Sequence, residues 1–215
     1  MSNPKEIKVL FSRGELAVVW VTFAYMLVSL IAAIRLKNPE FVFYLLVMGV
    51  LIAVVFCVHV KMKLHIAALW GLSVWGLAHM AGGLMPIPNS WPIKGESFVL
   101  YNLWLVPGLL KYDQLVHAFG FGLITWICWQ GLGKAFNKHG IGVEPTFGIL
   151  TICVACGMGF GAANEIVEFI ATIALPNTNV GGYINTGWDL VANFAGCLMA
   201  AMMIRMIHVK RNAVG

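Results

Sequence analysis

Charge is what this chain has least of. Only 11% of its residues are Asp, Glu, Lys or Arg, against 60% that are apolar, whereas a water-soluble domain carries roughly 25% charged residues. That shortage excludes a soluble globular domain. A basic stripe is missing as well. The Lys and Arg behind the net charge of +5 are dispersed among short loops, so no nucleic-acid partner is expected. Loop cysteines are absent: Cys57, Cys128, Cys153, Cys156 and Cys197 all fall inside apolar runs. This excludes the disulfide framework of a small secreted domain. The CxxC made by Cys153 and Cys156 lies mid-run, where small packing residues are the expected reading. No internal repeat, low-complexity tract or HExxH motif occurs.

Long apolar runs are what the chain does have. A helix needs about 20 apolar residues to cross a bilayer, and six stretches qualify: Leu16–Ile34, Phe41–Val60, His65–Met85, Gln114–Gly133, Phe147–Leu175 and Leu190–Ile207. The expected fold class is therefore all-α, a polytopic transmembrane bundle of about six helices, with residues 1–215 as a single membrane domain. Lys5, Lys8 and Arg13 precede the first run, but that run exceeds a cleavable hydrophobic region, so an uncleaved first helix is expected. Phe98–Leu110 contains Pro107 and Gly108 and follows Pro86, Pro88 and Pro92. It is too short and broken to span, and reads as an interfacial or re-entrant segment.

Basic residues in short loops set orientation. With the N-terminus cytoplasmic, the inside holds Lys5, Lys8, Arg13, Lys61, Lys63, Lys134, Lys138, Arg205, Lys210 and Arg211. The outside then holds Arg35, Lys37, Lys94 and Lys111. Both termini are expected to be cytoplasmic.

An ionisable side chain inside a membrane helix costs about 2.5–3.5 kcal/mol, so each one needs a reason. The exceptions gather in helices three to six, leaving helices one and two as an expected apolar framework. His79 lies near the outer end of helix three. Asp113 opens helix four, with His117 one turn deeper on the same face. Helix five carries Asn164, Glu165 and Glu168 in its outer half. Helix six begins at Trp188-Asp189 and has Asn193 one turn further in. Four helices thus bring polar groups to one depth on the extracytoplasmic side. Gly120, Gly122, Gly196 and the GxxxG of Gly157 and Gly161 read as helix-packing positions. His59, His65, His139 and His208 lie near the inner ends and read as interfacial.

Three chemistries fit this cluster. His79, Asp113, His117, Glu165, Glu168 and Asp189 would ligate Zn²⁺ or another first-row divalent metal and support hydrolysis through a bound water. The same carboxylates without metal would serve acid–base chemistry or a proton relay. A hydrogen-bonded network could instead only lock the helices together. The candidate catalytic set is Asp113, His117, Glu165, Glu168, Asp189 and Asn193, with His117 or Glu168 as general base.

Four motifs carry a family resemblance: His79-Met-Ala-Gly-Gly83, Tyr112-Asp113-Gln-Leu-Val-His117-Ala-Phe-Gly120, Asn164-Glu165-Ile-Val-Glu168, and Gly187-Trp188-Asp189-Leu-Val-Ala-Asn193-Phe-Ala-Gly196. In this order they resemble the YjdF-like inner-membrane proteins, and more distantly the VanZ-like membrane proteins. The chain departs before Trp188, where Asn185-Thr-Gly187 stands in place of the family's Gln-Gly-Asp. The resemblance implies a multi-pass protein of a bacterial inner membrane and supplies no reaction. Together with the cluster's depth, the expected function is an enzyme acting on a lipid or lipid-linked envelope substrate. The alternatives are a proton-coupled small-molecule transporter and a non-catalytic scaffold.

Overall fold

The computed structural model describes residues 11–214. It contains six long helices: α1 (Arg13–Arg35), α2 (Pro39–Met62), α3 (Ile66–Leu84), α4 (Tyr112–Asn137), α5 (Phe147–Ala174) and α6 (Tyr183–Val214). Each is long and apolar enough to cross a membrane. Lys5 and Lys8, counted above in the charge bias, lie outside the described residues.

Local chemistry sets the helix starts. Ser12 and Glu15 cap α1 reciprocally: Ser12 N–H donates to Glu15 Oε2 at 2.6 Å and Glu15 N–H to Ser12 Oγ at 3.3 Å, as a capping box does. Asn38 Oδ1 accepts from Phe41 N–H at 3.1 Å, with Pro39 opening α2. Thr146 Oγ1 accepts from Ile149 N–H at 3.4 Å to start α5. At the other end of α2 the Lys134 ammonium donates to the carbonyls of Met62 and Lys63, placing a cation on a negative helix terminus.

The bundle is apolar outside and polar within. Val28, Leu46, Phe160 and Ile173 face outward, while Thr125, Asp189 and Asn193 are fully buried. Lipid tails are as apolar as Leu, so helix association must rest on close packing and internal hydrogen bonds. Closeness is greatest between α4 and α6. An added Cβ at Gly122 would stand 2.8 Å from the Gly196 carbonyl oxygen, and one at Gly196 would meet the Ala118 carbonyl. Those two contacts are backbone against backbone.

Six crossings put the start of α1 and the end of α6 at one end. The opposite end carries the α1–α2 turn, the α3–α4 connection and the α5–α6 connection. Buried Phe41, Tyr44, Leu45, Met80 and Ala171 close the core beneath it. Phe98–Leu110, expected to be too short and broken to span, folds as a 3₁₀ turn at Leu100–Asn102 leading into an antiparallel pair, β1 (Trp104–Val106) and β2 (Leu110–Lys111). Gly108 takes φ +74° at its tip. α6 begins at Tyr183 rather than Leu190, which places Asp189 inside the helix. His59, in the last turn of α2, is buried, with Nε2 3.0 Å from Glu15 Oε1.

Candidate functional site

His117 is the centre of the polar cluster. α4 starts where Lys111 N–H donates to Gln114 Oε1 at 2.9 Å, and this sets Asp113 in the first turn, where a carboxylate is favoured. One turn on, His117 Nδ1 lies 3.0 Å from Asn193 Oδ1 on α6 and 3.6 Å from Glu165 Oε1 on α5. Its Nε2 lies 3.7 Å from Asp113 Oδ1 and 3.9 Å from Glu168 Oε1. With Nδ1 protonated and donating to Asn193, Nε2 turns a lone pair toward two carboxylates. That arrangement repels itself unless a proton or a cation lies between them.

The unpaired atoms point the same way. Both carboxylate oxygens of Glu165, Asp189 Oδ1 and Asn193 Nδ2 are buried without a hydrogen-bond partner. Such groups are costly to bury unsatisfied. Glu168 is held by Asn164 Nδ2, which donates to its Oε1 at 2.9 Å, and Asp189 Oδ2 accepts from Asn185 Nδ2. Two ligand triads result, Asp113–His117–Asp189 and His117–Glu165–Glu168. In each, the ligating atoms lie within 4.8 Å of one another. Among the described residues, the cation in contact with the cluster is Lys111. Its ammonium is 3.3 Å from Asp113 Oδ2 and also donates to Asn185 Oδ1.

Of the residues expected from the sequence, Asp113, His117, Glu165, Glu168, Asp189 and Asn193 meet in this cluster. His79 does not join either triad. Its ring sits among Tyr44, Trp75 and Tyr101, with centroids 6.2, 6.4 and 5.6 Å away. Three further residues escaped sequence reasoning. Lys111 reads in the sequence only as an outer-loop charge. Asn185 bridges Lys111 to Asp189. Glu40, buried in the first turn of α2, accepts from Asn179 N–H at 2.9 Å, so α2 is not apolar framework throughout.

Above the cluster a cavity of about 790 Å³ opens at the end that carries the α3–α4 and α5–α6 connections. Glu168 and Asp113 form part of its lining, with Glu40, His79, Lys94 and Lys111. The α3–α4 and α5–α6 connections cover it. Asn102 Nδ2 joins them, donating to Ser97 O at 2.8 Å and to Asn179 Oδ1 at 3.2 Å. Tyr101, in the covering segment, has its phenol pushed well above the ordinary range by burial and then by the negative charge of Asp113. It stays neutral and can donate. The arrangement is a polar vestibule over a buried, acidic floor.

The chain belongs to the predicted membrane protein family DUF2238, which it matches over residues 17–210. The match contains α2 to α5 whole, most of α1 and α6, and every residue of the cluster. No curated protein and no solved structure matches it.

Proposed function

We propose that the chain is a metal-dependent hydrolase of a bacterial inner membrane, with a divalent-cation site open to the outer face. One observation carries the reading. Glu165 and Asp189 set buried carboxylate oxygens without hydrogen-bond partners beside His117 from two helices, in a cluster of four carboxylates that, among the described residues, touches one lysine. A divalent cation would supply the missing positive charge and the missing partners. The donor set of one imidazole and several carboxylates suits Zn²⁺ or another first-row metal.

The residues then divide the work. Asp113, His117, Asp189 and Glu165 hold the cation, which when bound supplies an activated water. Asn193 fixes the imidazole orientation through Nδ1, as such outer partners do. Glu168 reaches both the cluster and the vestibule, and Asn164 occupies only its Oε1. Its Oε2 is free to take the proton of the attacking water and return it to the leaving oxygen. Water adds across an ester or phosphoester bond, giving an acid and an alcohol.

Metal analysis of the detergent-purified protein tests this directly. The wild type should carry a divalent metal that chelation removes with a fall in unfolding temperature. Asp113→Ala should lower metal affinity by on the order of a hundredfold while retaining the helical circular-dichroism spectrum. A wild type that binds no divalent metal at any concentration sinks the proposal.

A further inference from the structure

Three cavities share walls. The polar vestibule meets a narrow crevice of about 30 Å³ between α2, α3 and α5, and Tyr44, His79 and Glu168 line both. That crevice meets an apolar groove of about 350 Å³ among α1, α2 and α3, and Met48, Leu51 and Trp75 line both. The groove's walls include Val18, Val55 and Leu69, and it ends at the Glu15–His59 pair. From Met48 to His59 it follows α2 for about 16 Å at 1.5 Å per residue, close to the ~15 Å hydrocarbon depth of one leaflet.

We infer that the substrate is a lipid, held with its polar headgroup in the vestibule and one long hydrocarbon chain threaded through the crevice into the α1–α3 groove. The crevice is too narrow for two chains side by side. A chain gains little by exchanging lipid for the groove, since both are apolar. The anchor is therefore the headgroup, and the mixed charge of the vestibule suits it: Glu40 and Glu96 for an ammonium, Lys94 for a phosphate. Glu168 lines the junction, which puts the base beside the bond linking head to chain. The inference rests on the hydrolase reading for its chemistry, but its binding geometry can be tested alone.

The test uses full-length protein in phosphatidylglycerol nanodiscs with lysophosphatidylethanolamine bearing a diazirine at the end of its chain. Val18 and Leu69 are each more than nine-tenths buried in the groove wall, so only a chain inside the groove reaches them. Irradiation should label both. Met48→Trp and Leu51→Trp, each blocking the junction, should reduce that labelling to background while lipid-facing Phe160 stays labelled. Unlabelled Val18 and Leu69 in the wild type, or equal labelling in folded Trp variants, overturns the inference. Helical circular dichroism of the same samples confirms that the variants fold, metal content is measured alongside, and the wild-type result stands even if both variants fail to fold. Groove labelling without metal defeats the hydrolase reading and leaves the lipid lane standing. Metal without groove labelling does the reverse.

Discussion

Lys111→Met should destabilise the metal-free protein by about 3–5 kcal/mol, the usual consequence of stranding a buried charge, and the metal-loaded protein by far less. The Lys111 side chain is 4% exposed, and its ammonium sits 3.3 Å from Asp113. Through Asn185 it also holds the far side of Asp189. Without it, four carboxylates share the cluster with no adjacent lysine or arginine among the described residues. A bound divalent metal replaces the lost charge, so the variant should become stable only when loaded. Its metal affinity should rise, because removing a positive charge from the cluster favours another cation there. Lys111→Arg should retain stability. Unfolding curves with and without chelator check this. An equal loss in both conditions would place the cation elsewhere.

The same lysine shows where sequence reasoning stops. Six apolar runs predict six helices because spanning requires an unbroken apolar length, and that requirement is local. The cluster on α4, α5 and α6 was legible for a related reason: an ionisable residue inside such a run demands an explanation. Depth could be estimated from position along each run. Azimuth could not. His79 lies at the right depth, yet its ring faces Tyr44, Trp75 and Tyr101. Which way a helix turns depends on its neighbours, and a single sequence carries no trace of that.

Lys111 and Glu40 were missed for a different reason. Each has an ordinary local explanation, one as an orientation charge beside a span and the other as an acid in the first turn of a helix. Their burial comes from the α3–α4 and α5–α6 connections folding over the bundle. The contacts that do this, such as Asn179 N–H to Glu40, join residues far apart in the chain. The irregular segment after Met85 was the available signal. Its prolines and glycines excluded a span, and a span of no use at that depth leaves covering the end of the bundle as the alternative.

Gly196→Val should abolish the native bundle, and Gly196→Ala should leave it folded with a damaged site. Between α4 and α6 nothing flexible separates the helices: Gly196 abuts the Ala118 carbonyl, and the Gly196 carbonyl oxygen lies 2.8 Å from where a Cβ on Gly122 would be. A side chain at 196 cannot be absorbed by a rotamer change, because the obstacle is backbone. Overpacking costs about 1–3 kcal/mol where side chains can yield, and here the helices themselves must part. Gly157 and Gly161 on α5 are crowded by side chains instead: a Cβ at Gly157 would meet Thr125 Oγ1 and stand 2.7 Å from Cys197 Sγ, and one at Gly161 would stand 2.7 Å from Asn193 Nδ2. These glycines therefore set the separations that bring Asn193 within 3.0 Å of His117. Displacing α6 by roughly 1 Å is enough to cost about a hundredfold in catalysis, so Gly196→Ala should lose metal affinity and activity before it loses its fold. Gly159→Ala, on the same helix as Gly157 but with open space around it, should change neither. If Gly196→Val accumulates to wild-type levels with full metal content, close α4–α6 packing is not what holds the cluster together.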